Sequence, residues 1–287
     1  MRRLLFQLEN NILFENYTLR IYKPLRVLLL MLFLVACSDS KPVKTAPPNI
    51  FRYNESSSVR SLDPAKARTR GERWLAAQLY NTLFEVGEDL NIYPALVKEY
   101  EWSVDRTELR LTLPEKPIYF HSPEGRKLSA RDVMYSLRRA LKLNPEWKQL
   151  HRFLSSQNIH AVSDREIKIT LTEEFEPFLW FLTDPRLSII SPESIDKKTS
   201  VGTGPFALVH WYPDHSLKLV RHPNYFKVNF RGHPLPLLEG VYVSFEQDET
   251  RILSRFKNNE FDLAYPIQAD SITEDFAFSR ELLEGYI

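Results

Sequence analysis

Ser194, Ile195, Asp196 and Lys197 spell S-x-x-K, a serine–lysine spacing that supports nucleophilic acyl chemistry. The pattern follows a segment ending at Pro192, and nothing downstream clearly supplies its partner motifs. A four-letter pattern recurs by chance in many chains. His210, His215 and His222 lie in one region, but their spacing places them on no obvious common strand face, and no Cys or Glu motif closes a metal set. Solvated or hydrogen-bonded imidazoles are the expectation. Gly202 and Gly204 lack the third glycine of a dinucleotide loop, and no Walker lysine follows. No catalytic set or cofactor site emerges, and binding is the function left open.

The single cysteine, Cys37, closes the uncharged run Val27–Ala36 within VLLLMLFLVACSDS. Lys23 and Arg26 precede the run, as the basic region of a secretory signal does. As a helix it would reach about 15 Å, too short to span a bilayer. Leu34, Val35 and Ala36 resemble the lipobox of bacterial lipoproteins. The resemblance implies that residues 1–36 are a signal peptide, that Cys37 is diacylated, and that residues 37–49 are a lipid-anchored linker. The protein is then extracytoplasmic, held at the periplasmic face or the cell surface; Ser38 after the cysteine points to the outer membrane where the cell has one. The leading stretch MRRLLFQLENNILFENYTLR, with Glu9 and Glu15, is unusual for a signal; a start codon assigned too far upstream or a short cytoplasmic helix accounts for it.

The elements that must position any site follow from composition and periodicity. With 43% hydrophobic and 13% aromatic residues in 287, the chain is globular and can hold one large or two modest cores without disulfides. Residues 1–36 carry five of the 38 basic and two of the 37 acidic residues, so the mature chain has 33 against 35. That balance excludes a basic stripe for nucleic acid and a polybasic membrane patch.

IFRYNE (50–55) reads as a strand, and Gly71–Glu85 as a helix with Trp74, Leu75, Leu79, Thr82 and Leu83 on one face. EYEWSV and ELRLTL alternate as strands with one wet face. Ser129 and Asp132 form a capping box for a helix that ends before Pro145. NIHAVSDREIKITL reads as a strand pair, EPFLWFL as a short helix and LSIISP as a buried strand. The stretch from Gly202 makes a hairpin turning at Pro213 and Asp214, followed by strand EGVYVSF, helix DETRILSRFKNN and strand FDLAY. The fold class is α+β, or mixed α/β.

Several of these stretches resemble, in order, the extracellular solute-binding proteins of family 5, the oligopeptide and dipeptide binders of ABC importers. They are SLDPAKA, LYNTLFEV, YPALVKEYEWSVDRTELRLTL, IYFHSPEGRKLSARDVMYSLRRAL, VSDREIKITL, VGTGPFALVHW, LKLVRHPNYF and RFKNNEFDLAY, covering Ile50 to about Pro266. YFHSPEG departs from the family in having Ser-Pro where Asp-Gly is common. The resemblance implies a periplasmic-binding-protein-like fold with an extra side domain: residues 50–80 and 158–265 form the first lobe, 81–157 the side domain, and 266–287 the start of a second lobe that is largely missing. It implies that Arg68, Thr69 and Arg70 line the cleft, with Gly202, Thr203 and Gly204 near the ligand and Ala264 and Tyr265 at the crossover to the second lobe.

The expected protein is not an enzyme. It is a monomer that binds a peptide or other small solute, docks to ABC permease subunits, and touches the membrane through its lipid anchor. With one cleft wall absent the chain would be either a fragment or a truncated remnant. The alternatives are a cell-surface serine hydrolase using Ser194 and Lys197, and a non-transport sensor or remnant that binds a protein partner.

Overall fold

A computed structural model describes residues 49–265 except 58, 122–124 and 197–199. Cys37, Lys197, the expected signal and second-lobe segments and all of the expected linker except Asn49 therefore lie outside the described residues. Among the described residues no helix is long and apolar enough to cross a membrane.

The first strand, β1 (Ile50–Glu55), is partly exposed up to Arg52 and then buried at Tyr53, Asn54 and Glu55. It sits inside a five-stranded sheet with β8 (Phe206–Tyr212), β9 (Ser216–Arg221), β10 (Gly240–Ser244) and β11 (Leu263–Tyr265), in the order β11-β1-β10-β9-β8. β1 runs parallel to both β10 and β11, so their carboxyl ends fall on one side of the sheet. β8 and β9 form the predicted hairpin, with Asp214 in the left-handed region at its turn.

Between β1 and β8, residues 59–80 pack on this sheet, with Val59, Leu62, Leu75 and Leu79 in its core, and most of the rest is a long excursion that builds a second core. β4 (Glu99–Trp102), β5 (Glu108–Thr112), β6 (Ile159–Ala161) and β7 (Glu166–Thr170) form a four-stranded sheet, preceded by a small ribbon of β2 (Phe84–Val86) and β3 (Ile92–Pro94). Placing residues 158 onward in the first lobe's sheet is thus corrected: β6 and β7 pair with β4 and β5. Ile159, Ile167 and Ile169 share a core with Leu109, Leu111 and Leu137, which leaves their apolar face no reason to pair elsewhere.

Two helices organise the junction of the cores. α1 (Arg70–Leu79) opens with a capping box in which Thr69 accepts from the Glu72 amide. α2 (Ala130–Leu143) opens with the capping box predicted for Ser129 and Asp132 and ends at Asn144. Short helices α3 (Lys148–Phe153), α4 (Phe178–Phe181) and α5 (Pro192–Asp196) complete the side domain, and α6 (Glu249–Lys257) leads to β11.

α1 stops six residues short of the expected Glu85. Tyr80 turns extended, and the Gly204 amide donates to the Leu79 carbonyl at 3.1 Å, so another segment occupies the path of a further turn. Leu83 and Phe84 then enter the side-domain core, where burial outweighs helical periodicity. LSIISP is likewise buried but joins no ladder; Ile190 makes a single bridge to Gly202. The apolar run signalled burial, which a strand and an irregular core segment share.

Candidate functional site

The carboxyl ends of β1, β10 and β11 converge with the start of α1. Glu55 pairs in register with Tyr265, and Asn54 lies between Ala264 and Ser244. Asn54 is fully buried and pins the segment after β10: its Nδ2 donates to the Glu246 carbonyl and its Oδ1 accepts from the Glu246 amide, both at 3.2 Å. In parallel sheets this rim, where the chain crosses between elements, is the usual site of ligands.

Beside that rim is a hollow of 340 Å³ lined by Phe51, Tyr53, Glu55, Arg70, Trp74 and Leu263. Residues 51, 53 and 55 face it together because strand side chains alternate. Tyr53 and Trp74 make an aromatic shelf, their rings 5.1 Å apart. Glu55 is buried yet well satisfied: it accepts from the Tyr53 hydroxyl at 2.6 Å and from the Ser57 amide and hydroxyl at 3.0 and 2.7 Å. Arg70 lies 3.7 Å from the same carboxylate, with its side chain 60% exposed. Burial, and then the bond to Glu55, hold the Tyr53 hydroxyl protonated well above its ordinary range. Gly71 lets the helix come this close, since a Cβ there would lie 2.7 Å from Ser57 Oγ.

The residues expected to line the cleft separate into three groups. Arg70 faces the hollow, whereas Ala264 and Tyr265 are placed only by their pairing with Asn54 and Glu55 in the adjoining strand. Thr69 is taken up in capping α1. Arg68 turns toward the side domain, donating to Asn144 Oδ1 at 2.7 Å and meeting Glu146 at 3.3 Å. Burial alone would raise the carboxyl of Glu72, but the amides of Arg68, Thr69 and Arg60 outweigh it and hold it low.

Gly202, Thr203 and Gly204 sit at the opposite end of α1, about 15 Å away along a ten-residue helix. A Cβ on Gly204 would be 2.4 Å from the Leu79 carbonyl carbon, and one on Gly202 2.2 Å from the Leu79 oxygen. Thr203 is fully buried and its hydroxyl donates to Asn81 at 3.1 Å. This turn locks the helix to the side domain.

The other candidates are structural. Ser194 is buried with its hydroxyl donating to the Ser191 carbonyl at 2.8 Å. His222 is buried against the Gly204 carbonyl, while His210 lies on Tyr212 and His215 contacts the Ser216 hydroxyl. Among the described residues no three His, Cys, Asp or Glu converge on a metal position. The sequence reading missed Phe51, Tyr53, Glu55, Trp74 and Leu263. The available signal was a glutamate at an inward position of β1.

The family profile described as bacterial extracellular solute-binding proteins, family 5 Middle, matches residues 91–281. The chain belongs to this family. It is similar to the glutathione-binding protein GsiB of Pectobacterium atrosepticum, 28% identical over 218 residues that cover 74% of this chain and 41% of the relative. GsiB of Escherichia coli K12 is 25% identical over 223 residues, covering 76% and 42%. Among solved structures, DppA from Helicobacter pylori in complex with peptide STSA superposes with a TM-score of 0.68 at 22% identity, covering 78% of this chain and 48% of that one. HbpA2 from Haemophilus parasuis gives 0.67 at 24% identity, covering 78% and 48%. These likenesses show the periplasmic-binding-protein fold. This family 5 chain spans about two fifths of the curated relatives' length and about half that of its structural neighbours.

Proposed function

We propose that this family 5 chain carries the first lobe and side domain of a lipid-anchored substrate-binding component of an ABC importer. It captures a peptide or similar small solute outside the cytoplasm and delivers it to the permease subunits. The observation that carries the reading is the convergence of β1, β10, β11 and Arg70 at the strand that leads out of the lobe. Relatives named for binding glutathione and a neighbour solved with a peptide support peptides as the solute class.

In this reading the hollow is one wall of a cleft. The aromatic shelf of Tyr53 and Trp74 packs on the solute, and Arg70 offers a cation for a carboxylate. A second lobe beginning at residue 266 closes over it by a hinge through Ala264 and Tyr265, and Cys37 holds the monomer to the membrane. Gly202–Gly204 fix α1 in place and do not touch the solute. The buried, bonded state of Ser194 weighs against a serine hydrolase.

The test is the thermal midpoint of the full-length gene product with a pool of short peptides, since a ligand that binds only the folded state raises it. A rise that Arg70→Ala reduces supports the proposal. No shift with any peptide pool overturns it.

A further inference from the structure

A second hollow lies apart from the strand ends, where the side-domain helix α2 meets the segment around Lys66. It is a groove of 870 Å³ between the carboxyl half of α2, the segment from His151 to Ser156, and Lys66. Its cations are Lys66, Arg138, Arg139 and Lys142, with His151 opposite, and no aspartate or glutamate lines it. Residues 135, 138, 139 and 142 recur at helical spacing, so one face of α2 presents these charges as a stripe.

Internal pairing neutralises only part of that charge. Arg139 forms a bidentate ion pair with Asp63, which Lys66 also approaches at 3.8 Å. Arg138 spends two of its nitrogens on the Ile159 carbonyl, a neutral group that leaves its charge unbalanced. Lys142 is exposed in the last turn, where it complements the helix dipole. The dipole accounts for Lys142 but not for Arg138 and Arg139 a turn earlier. Beneath the cations lie Met134, Leu141, Leu143 and Leu154.

We propose that this groove is a docking site for an acidic peptide segment of a partner protein, separate from the solute cleft. Four cations against one carboxylate give the charge complementarity. The spread of the charges along a helix face fits a chain with carboxylates at intervals better than a compact anion. The apolar floor accepts the side chains between them, and a concave surface fits a segment better than a flat bilayer.

The probe is a fluorescein-labelled, end-blocked octapeptide of alternating Glu and Leu, read by anisotropy with the full-length protein. Binding should fall steeply with added salt, and the Gln–Leu counterpart should not bind. Lys142→Gln and, separately, Lys66→Gln should each weaken binding about fivefold while lowering the thermal midpoint only slightly, since each removes a charge without setting a carboxylate against Asp63 or the helix dipole. Arg70→Ala should leave it unchanged, which separates this site from the solute cleft. Binding that ignores both lysine variants, or that only Arg70→Ala weakens, overturns the proposal. So does a protein that ignores the peptide and instead binds inorganic phosphate or phosphatidylglycerol vesicles in a Lys142-dependent way.

Discussion

His121 and His222 meet edge to face, ring centroids 4.8 Å apart, and both rings donate to one acceptor, the Gly204 carbonyl, at 3.0 and 3.3 Å. The Gly202 amide donates to Nδ1 of His121 at 3.3 Å, so that nitrogen is unprotonated and Nε2 carries the hydrogen. The neutral ring is the one that fits. Burial, reinforced by the neighbouring His222, pulls the His121 imidazole down to about 4, and burial lowers His222 as well.

The consequence for stability has a definite sign. An unfolded histidine titrates near 6.5, so between about 6.5 and about 4 the unfolded chain binds more protons than the folded one. Stability from this pair is fully present above that window and is lost as pH falls through it. Urea unfolding at a series of pH values should show the decline, and His121→Gln should flatten it. An equally steep decline in the variant would remove His121 as its source.

Gly204→Ala should destabilise by about 1–3 kcal/mol or more, because the new Cβ would press on backbone atoms of Gln78, Leu79 and Tyr80 rather than on a movable side chain. Gly125→Ala is the control: its added Cβ meets nothing within 4 Å, and only its positive φ opposes the change. Chemical denaturation should rank Gly204→Ala well below Gly125→Ala. Equal losses would mean that the turn yields instead of the helix.

Much of the fold was legible because local signals and tertiary demand agreed. The capping box at Ser129 and Asp132, the hairpin turn at Asp214 and the alternation in β5 and β7 each specify an element without help from elsewhere. The failures came where a distant segment decided the outcome. Nothing near Tyr80 reveals that Gly204, over a hundred residues later, claims the Leu79 carbonyl. Nothing in β6 and β7 reveals which of two sheets they join, since apolar alternation suits either. The site was read partly through this gap. Arg70, which lines the hollow, was named from family resemblance, whereas Phe51, Tyr53 and Glu55 look in sequence like any strand with one face buried.

The buried ion pair between Asp63 and Arg139 fastens the lobe to the side domain, each side chain only 14% exposed. Removing one partner leaves the other charge buried, with Lys66 at 3.8 Å compensating Asp63 only in part, so Arg139→Met should cost about 3 kcal/mol. Asp63→Leu with Arg139→Met should recover most of that cost, because neither charge then remains to be desolvated, though the Asp63 cap on the Ala65 amide is lost. Thermal unfolding of the two single variants and the double variant forms the cycle. Additive losses would show that the two groups do not act as a pair.

Arg70 stands 3.7 Å from Glu55, while Glu55 takes its close hydrogen bonds from Tyr53 and Ser57. Its carboxylate takes its close bonds from groups other than the guanidinium, and Arg70, which also donates to the Tyr53 hydroxyl at 3.5 Å, is exposed over most of its surface and can exchange these longer contacts for a solute carboxylate. Arg70→Ala should then weaken a peptide with a free carboxyl end about tenfold, in the range of a charge-assisted hydrogen bond, and barely change binding of the same peptide amidated at that end. Arg70→Lys should restore part of the difference, since it returns the charge without the planar fork. Calorimetric titration of the full-length protein with the two peptides measures it. Equal weakening of both peptides would assign Arg70 to shaping the hollow and not to recognising a carboxylate.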